Sequence, residues 1–189
     1  ELKRLNHGGE TQSVQGCGIN GNDKSGFGAA LAAAAIADVV VLALGTDPSL
    51  EHESMDRLQV TLPAIQSELA LAVMDANKRL LSKSGAGSTA AKIVLVLVNY
   101  GEISTEELLS IPGTEDGFPL GGGGGGGSSG GVDGLLMTFM PPTGTPIAEA
   151  LMGSVNVGGK LPYTIYPNNY TDEVGFTDMS LNAGPGRGY

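Results

Sequence analysis

Apolar runs of strand length recur along this chain near 38–44, 92–98 and 134–139, and between the first two lies a long stretch with a helical repeat. Val39-Val40-Val41-Leu42-Ala43-Leu44 and Ile93-Val94-Leu95-Val96-Leu97-Val98 are unbroken and rich in β-branched residues, the pattern of strands buried on both faces of a parallel sheet. In 62–82 the apolar positions Leu62, Ile65, Leu69, Val73, Ala76 and Leu80 recur at spacings of three and four, while Gln66, Glu68, Asp75 and Lys78 fall off that stripe. Pro63 fits the first turn of such a helix, where a missing N–H costs nothing. Strand, helix, strand in this order predicts a βαβ unit with a right-handed crossover. The expected fold class is therefore α/β, a mainly parallel sheet sandwiched by helices.

Shorter elements complete the pattern. The small and apolar run 25–35 predicts a helix with Ser25 as N-cap, 105–110 a short helix stopped by Pro112, and 145–153 a helix with Pro146 in its first turn and Gly153 at its end. Leu161-Pro162-Tyr163-Thr164-Ile165-Tyr166 alternates and reads as a last, edge strand. Residues 1–24 read as an opening loop or linker with room for one short strand, to which Val14 and Ile19 contribute core side chains. The α/β domain spans 25–166, and 167–189 form a polar C-terminal tail. Within the domain, Gly121 to Gly127 with Ser128-Ser129-Gly130-Gly131 has no side chains to bury, so 121–131 is either a flexible insertion or a stretch of unidentified residues written as glycine. The opening Glu1-Leu2-Lys3-Arg4 reads as cut from a longer chain.

Charge and composition narrow the partners. A formal net charge of −10 with only ten basic residues excludes a nucleic-acid partner and an anionic membrane, both of which need a basic patch. No apolar run approaches the roughly 20 residues that span a bilayer. Cys17 is the only cysteine, so an internal disulfide is impossible, and the residue reads as a small core hydrophobe.

The chemistry concentrates in one loop, where Asp47, Glu51, Glu53 and Asp56 place four carboxylates between the carboxyl end of a strand and the long helix. Open α/β sheets place their ligands at that edge. Acidic residues ahead of a helix also complement its dipole, the plainer role for any one of them. Asp47, Glu51, His52 and Glu53 are metal-ligand types, but no second histidine is spaced to complete a site, so neither a metal nor a cofactor is expected. Gly16-Cys17-Gly18-Ile19-Asn20-Gly21 matches no phosphate-binding fingerprint, which argues against a nucleotide-binding domain. Tryptophan is absent, so Tyr100 and Phe139, at strand ends, are the aromatic faces this edge offers a ligand.

With loop, helix start and tail taken together, the chain resembles the second domain of family 3 glycoside hydrolases. The pattern G-x-D-x-x-x-E-x-E-x-x-D-R followed by L-P-x-x-Q-x-x-L stands here as Gly45, Asp47, Glu51, Glu53, Asp56, Arg57, Leu62, Pro63, Gln66 and Leu69. Residues 141–148 resemble a Y-P-G-x-x-G-G-x-A-I-A segment and 153–164 a G-D-x-N-P-S-G-R-L-P-x-T segment, with Pro142, Pro146, Ser154 and Val157 as departures. Phe176 to Leu181 and Pro185-Gly186-Arg187 are similar to the β-xylosidase branch in particular.

The resemblance implies a retaining, exo-acting O-glycoside hydrolase of β-xylosidase or β-glucosidase type that works on a β-linked oligosaccharide or aryl glycoside. Such hydrolysis uses two carboxyl groups, a nucleophile and a general acid that later acts as base. The resemblance puts the aspartate nucleophile on a catalytic barrel that this chain does not contain, in an N-terminal domain or a companion chain, so the chain alone is expected to be inactive. It assigns the acid/base role to Glu51, with Asp47 and Glu53 binding substrate and Asp56 and Arg57 holding the loop. The alternative is a non-catalytic carbohydrate-binding or structural module. Asn169-Tyr170-Thr171 is an N-glycosylation pattern, which with the resemblance implies a secreted glycoprotein.

Overall fold

A computed structural model of the chain describes residues 1–83, 91–109, 132–161, 163–166, 168–175 and 177–180. The three apolar runs become strands β1 (Val39–Gly45), β2 (Lys92–Asn99) and β3 (Gly134–Phe139), all parallel and ordered β1-β2-β3 in one sheet. Each lies within one residue of its expected position. Register pairs Val40 with Ile93, Leu42 with Leu95 and Leu44 with Leu97, then Leu95 with Leu135 and Leu97 with Met137. Because side chains alternate across a strand, these positions share one face.

The helices are α1 (Leu2–Leu5), α2 (Phe27–Ala34), α3 (Ala64–Lys83), α4 (Glu106–Leu109), α5 (Thr145–Leu151) and α6 (Tyr170–Glu173). The sheet face carrying Leu42, Leu44, Ile93, Leu95 and Leu97 forms one core cluster with Leu69, Ala70, Val73 and Met74 of α3, against which Phe27, Ala30 and Leu31 of α2 pack. Crossover helix α3 thus covers the βαβ unit it connects. The α/β architecture read from the pattern is the one observed.

Burial on both faces holds for β2 but not for β1. In β2, Leu95 and Val96, on opposite faces, are both buried, whereas in β1 Leu42 and Leu44 are buried while Val39 is 55% exposed. Among the described residues β1 is an outer strand, and an apolar run alone does not say which face its neighbours cover. Gln66, read as off the helical stripe, is also buried. Its side chain accepts from the Gly45 amide at 2.7 Å and donates to the carbonyls of Gly45 at 2.8 Å and Ile19 at 2.6 Å. The polar head is therefore fully used, and it ties α3 to the end of β1.

Other local expectations are corrected. The N-cap of α2 is Gly26, without a side-chain cap; the Ser25 amide instead donates to Asp23 Oδ1 at 2.9 Å, and this bonding holds the Asp23 carboxyl below its ordinary range. Residues 1–24 hold α1 and no strand, and Ile19 is exposed, while Cys17 packs against the core and burial pushes its thiol up. Leu161 and 163–166 form no strand. The Tyr166 amide donates to Glu102 Oε1 at 3.0 Å instead of to a ladder, and its ring stacks on Tyr170. The glycine stretch 121–131, the segment 110–120 and the tail motif Pro185-Gly186-Arg187 lie outside the described residues.

Candidate functional site

The carboxyl ends of β1, β2 and β3 stand side by side, since Gly45 pairs with Val98 and Asn99 with Phe139. The loops leaving them share that edge. The chain leaves β1 through Gly45, whose φ of 155° lies where L side chains are strained, and a Cβ there would stand 1.7 Å from the Val98 carbonyl oxygen. Next, the Thr46 amide donates to that same carbonyl at 3.1 Å. Buried Thr46 Oγ1 accepts from the Tyr100 amide at 3.0 Å and donates to Glu51 Oε1 at 3.3 Å.

The acidic loop then closes on itself. Asp47 Oδ1 accepts from the Ser49 amide at 2.9 Å and from the Ser49 hydroxyl, and the Leu50 amide donates to the Asp47 carbonyl at 3.0 Å. His52 and Met55 exchange main-chain hydrogen bonds of 3.0 and 2.9 Å around Ser54, which has a φ of 72°. That tight turn separates the two glutamates: the Glu51 side chain is 16% exposed, while Glu53 is exposed, as are His52 and Asp56.

Glu51 faces a cation, not the other carboxylates. Arg57 Nε stands 2.9 Å from Glu51 Oε2, with the arginine side chain 13% exposed. That N–H has no aligned hydrogen-bond partner among the described residues, so the pair is held by charge and proximity. The guanidinium itself is anchored elsewhere. Its terminal nitrogens donate to the main-chain carbonyls of Gln59 at 3.2 Å, Thr61 at 3.1 Å and Glu102. A further main-chain bond, Ser104 amide to Val60 carbonyl at 2.7 Å, joins the loop's end to the segment after β2.

The structure therefore brings Glu51 and Arg57 together and leaves Glu53 and Asp56 on the rim, with Asp47 engaged in its own turn. Tyr100 and Phe139 are each about half exposed at this edge, and Phe139 meets Tyr163 edge-on at 6.0 Å. Asn169 is exposed, and its amide donates to Glu173 Oε1 at 2.6 Å. Among the described residues no group of three or more His, Cys, Asp or Glu is placed to hold a metal ion, and no helix is long and apolar enough to cross a membrane.

Sequence reasoning passed over Thr46, Asn99 and Gly101. A polar residue at the end of an otherwise apolar strand was the available signal for Asn99, which is 1% exposed and donates to the Gly101 carbonyl at 2.5 Å. For Thr46 and Gly101 no signal existed, because their roles depend on a segment some fifty positions away.

No protein-family model matches the chain. Among curated proteins it is 35% identical over 187 residues to a probable exo-1,4-beta-xylosidase, xlnD, of Neosartorya fischeri, covering 96% of this chain and 20% of that protein. It is 32% identical over 196 residues to beta-D-xylosidase 1 of Arabidopsis thaliana, covering 100% and 21% respectively. Among solved structures, a GH3 exo-beta-xylosidase (XlnD) in complex with a xylobiose aziridine activity-based probe shares the fold, with a TM-score of 0.65 at 23% identity over 89% of this chain and 18% of that one. The chain thus spans about one fifth of the length of the curated relatives it matches. Along nearly its whole length the chain is homologous to a domain-sized part of exo-β-xylosidases, and it shares its α/β fold with a member of glycoside hydrolase family 3.

Proposed function

We propose that this chain supplies the acid/base carboxyl, Glu51, to a retaining β-glycosidase of β-xylosidase or β-glucosidase type whose aspartate nucleophile sits on a barrel outside the chain. The observation that carries the reading is that Glu51, unlike the exposed Glu53, is drawn in at the carboxyl edge of the sheet, 16% exposed and held by Thr46 and Arg57 of its own loop. In the first step Glu51 gives its proton to the glycosidic oxygen as the anomeric C–O bond breaks and the nucleophile forms a glycosyl-enzyme. In the second, the Glu51 carboxylate takes a proton from the water that releases the sugar. Asp47 and Glu53, on the same loop, bind sugar hydroxyls, and Tyr100 and Phe139 offer apolar faces.

A second reading has its own support. The Glu51–Arg57 pair is largely withdrawn from solvent and suffices as a loop clasp, which is what a non-catalytic module would need. Leaving-group dependence separates the two. In the complete enzyme, Glu51→Ala should lower turnover of glycosides with poor leaving groups by about 10²–10⁴-fold while sparing glycosylation by an activated aryl glycoside. Azide should then restore turnover. Glu53→Ala should show neither effect; if Glu53→Ala shows both and Glu51→Ala neither, the acid/base role moves to Glu53, and if neither variant does, the clasp reading stands.

We also propose that the protein is secreted and carries a glycan on Asn169, supported by the exposure of that residue within its acceptor pattern. Intact mass of secreted material should fall on treatment with an N-glycosidase. An unchanged mass removes this assignment.

A further inference from the structure

Three consecutive residues after β2 each meet a different group of the Glu51 site. The Tyr100 amide donates to Thr46 Oγ1 at 3.0 Å, and that hydroxyl in turn donates to Glu51. A Cβ on Gly101 would stand 2.8 Å from both Glu51 carboxylate oxygens and 3.0 Å from its Cδ, so the carboxylate rests where a side chain would be. The Glu102 carbonyl accepts from the Arg57 guanidinium, fixing the cation beside Glu51. Beneath them, buried Asn99 holds the Gly101 carbonyl through its Nδ2, and the Glu102 carboxylate receives the Tyr166 amide. The segment is thus braced from two sides while it presents main chain, not side chains, to Glu51.

We propose that Tyr100-Gly101-Glu102 is the seat that sets the position of the Glu51 carboxyl, with Gly101 as its decisive positioning residue. The inference rests on the acid/base role of Glu51. A seat made of backbone is a rigid one, because its atoms have no rotamers to lose or change, and an acid/base group misplaced by about 1 Å costs on the order of 10²-fold in rate. The obstacle a methyl group at residue 101 would meet is the far end of a flexible side chain, so the expected response is movement of Glu51, with the fold intact.

The test is Gly101→Ala in the complete enzyme, alone and combined with Glu51→Ala. Gly101→Ala should lower kcat/KM for a glycoside with a poor leaving group by about 10²-fold. Its effect on glycosylation by a dinitrophenyl glycoside should stay within about threefold, since departure of that group needs no protonation. In the Glu51→Ala background the same substitution should change neither rate further, because the group it displaces is gone. If Glu51→Ala shows leaving-group dependence and Gly101→Ala behaves as the parent enzyme, the seat is refuted while the acid/base role stands. An equal loss in both backgrounds also refutes it. Absence of leaving-group dependence in Glu51→Ala itself overturns the underlying role instead. Should Gly101→Ala fold poorly, Glu51→Ala must restore its melting temperature, and failure to do so overturns the contact on which the proposal stands.

Discussion

Gly45 shows how one missing side chain lets the whole site form. Its Cβ position is occupied by the Val98 carbonyl, and that carbonyl also takes the Thr46 amide, so β1 turns into the acidic loop only by passing directly over β2. Gly45→Ala adds both a backbone clash and a strained φ. It should destabilise the chain by about 3 kcal/mol or more, a cost read from the urea midpoint. A loss under about 1 kcal/mol would mean that the strand end relaxes freely and that the crossing is not a fixed feature. Gln66 acts on the same bend from below, where its amide head replaces the ladder partner that a strand end lacks.

At the level of elements, β2 is the support on which the rest is built. It pairs with both neighbours, and Ile93, Leu95, Val96 and Leu97 are all essentially inaccessible. α3 closes one face and, through Gln66, the end of β1. The loops after β1 and β2 are then joined by Thr46–Tyr100, Val60–Ser104 and Arg57–Glu102 contacts, so a rigid central strand transmits its position to both. Leu95→Ala removes fully buried atoms at this centre and should cost about 2–5 kcal/mol. Leu71→Ala, on the exposed side of α3, should stay within about 0.5 kcal/mol. Equal unfolding midpoints for the two variants would contradict the placement of the core.

Taken whole, the molecule presents one chemically dressed edge, and under the proposed function that edge offers one of the two carboxyl functions that retaining hydrolysis requires. The strongly acidic balance, net −10 with ten basic residues, agrees with the neutral sugar ligand proposed for this edge and disfavours polyanions. Expressed alone, the chain should hydrolyse neither plain nor activated aryl β-xylosides, because activation of the leaving group removes the need for Glu51 but not for the nucleophile. Joined to the barrel proposed to carry the nucleophile, it should turn over both, as followed by release of the aryl group. Hydrolysis by the isolated chain at a comparable rate would place a nucleophile within these residues and refute the division of roles.

What the sequence alone determined is what depends on local pattern. Strand and helix positions follow from periodicity and from β-branched runs, so β1, β2, β3 and α3 were legible to within a few residues, and the parallel order followed from the helix between β1 and β2. The family resemblance was legible because ten loop and helix positions keep fixed spacings. Tertiary structure decided whatever depends on a partner distant in the chain. Val39 and Ala43 lie open because of where β1 falls in the sheet, and Gln66 is buried because β1 ends above it. Of two glutamates two positions apart, Glu51 is seated against Gly101 and Arg57 while Glu53 faces solvent, a distinction created by the turn at Ser54 and by a loop fifty residues away.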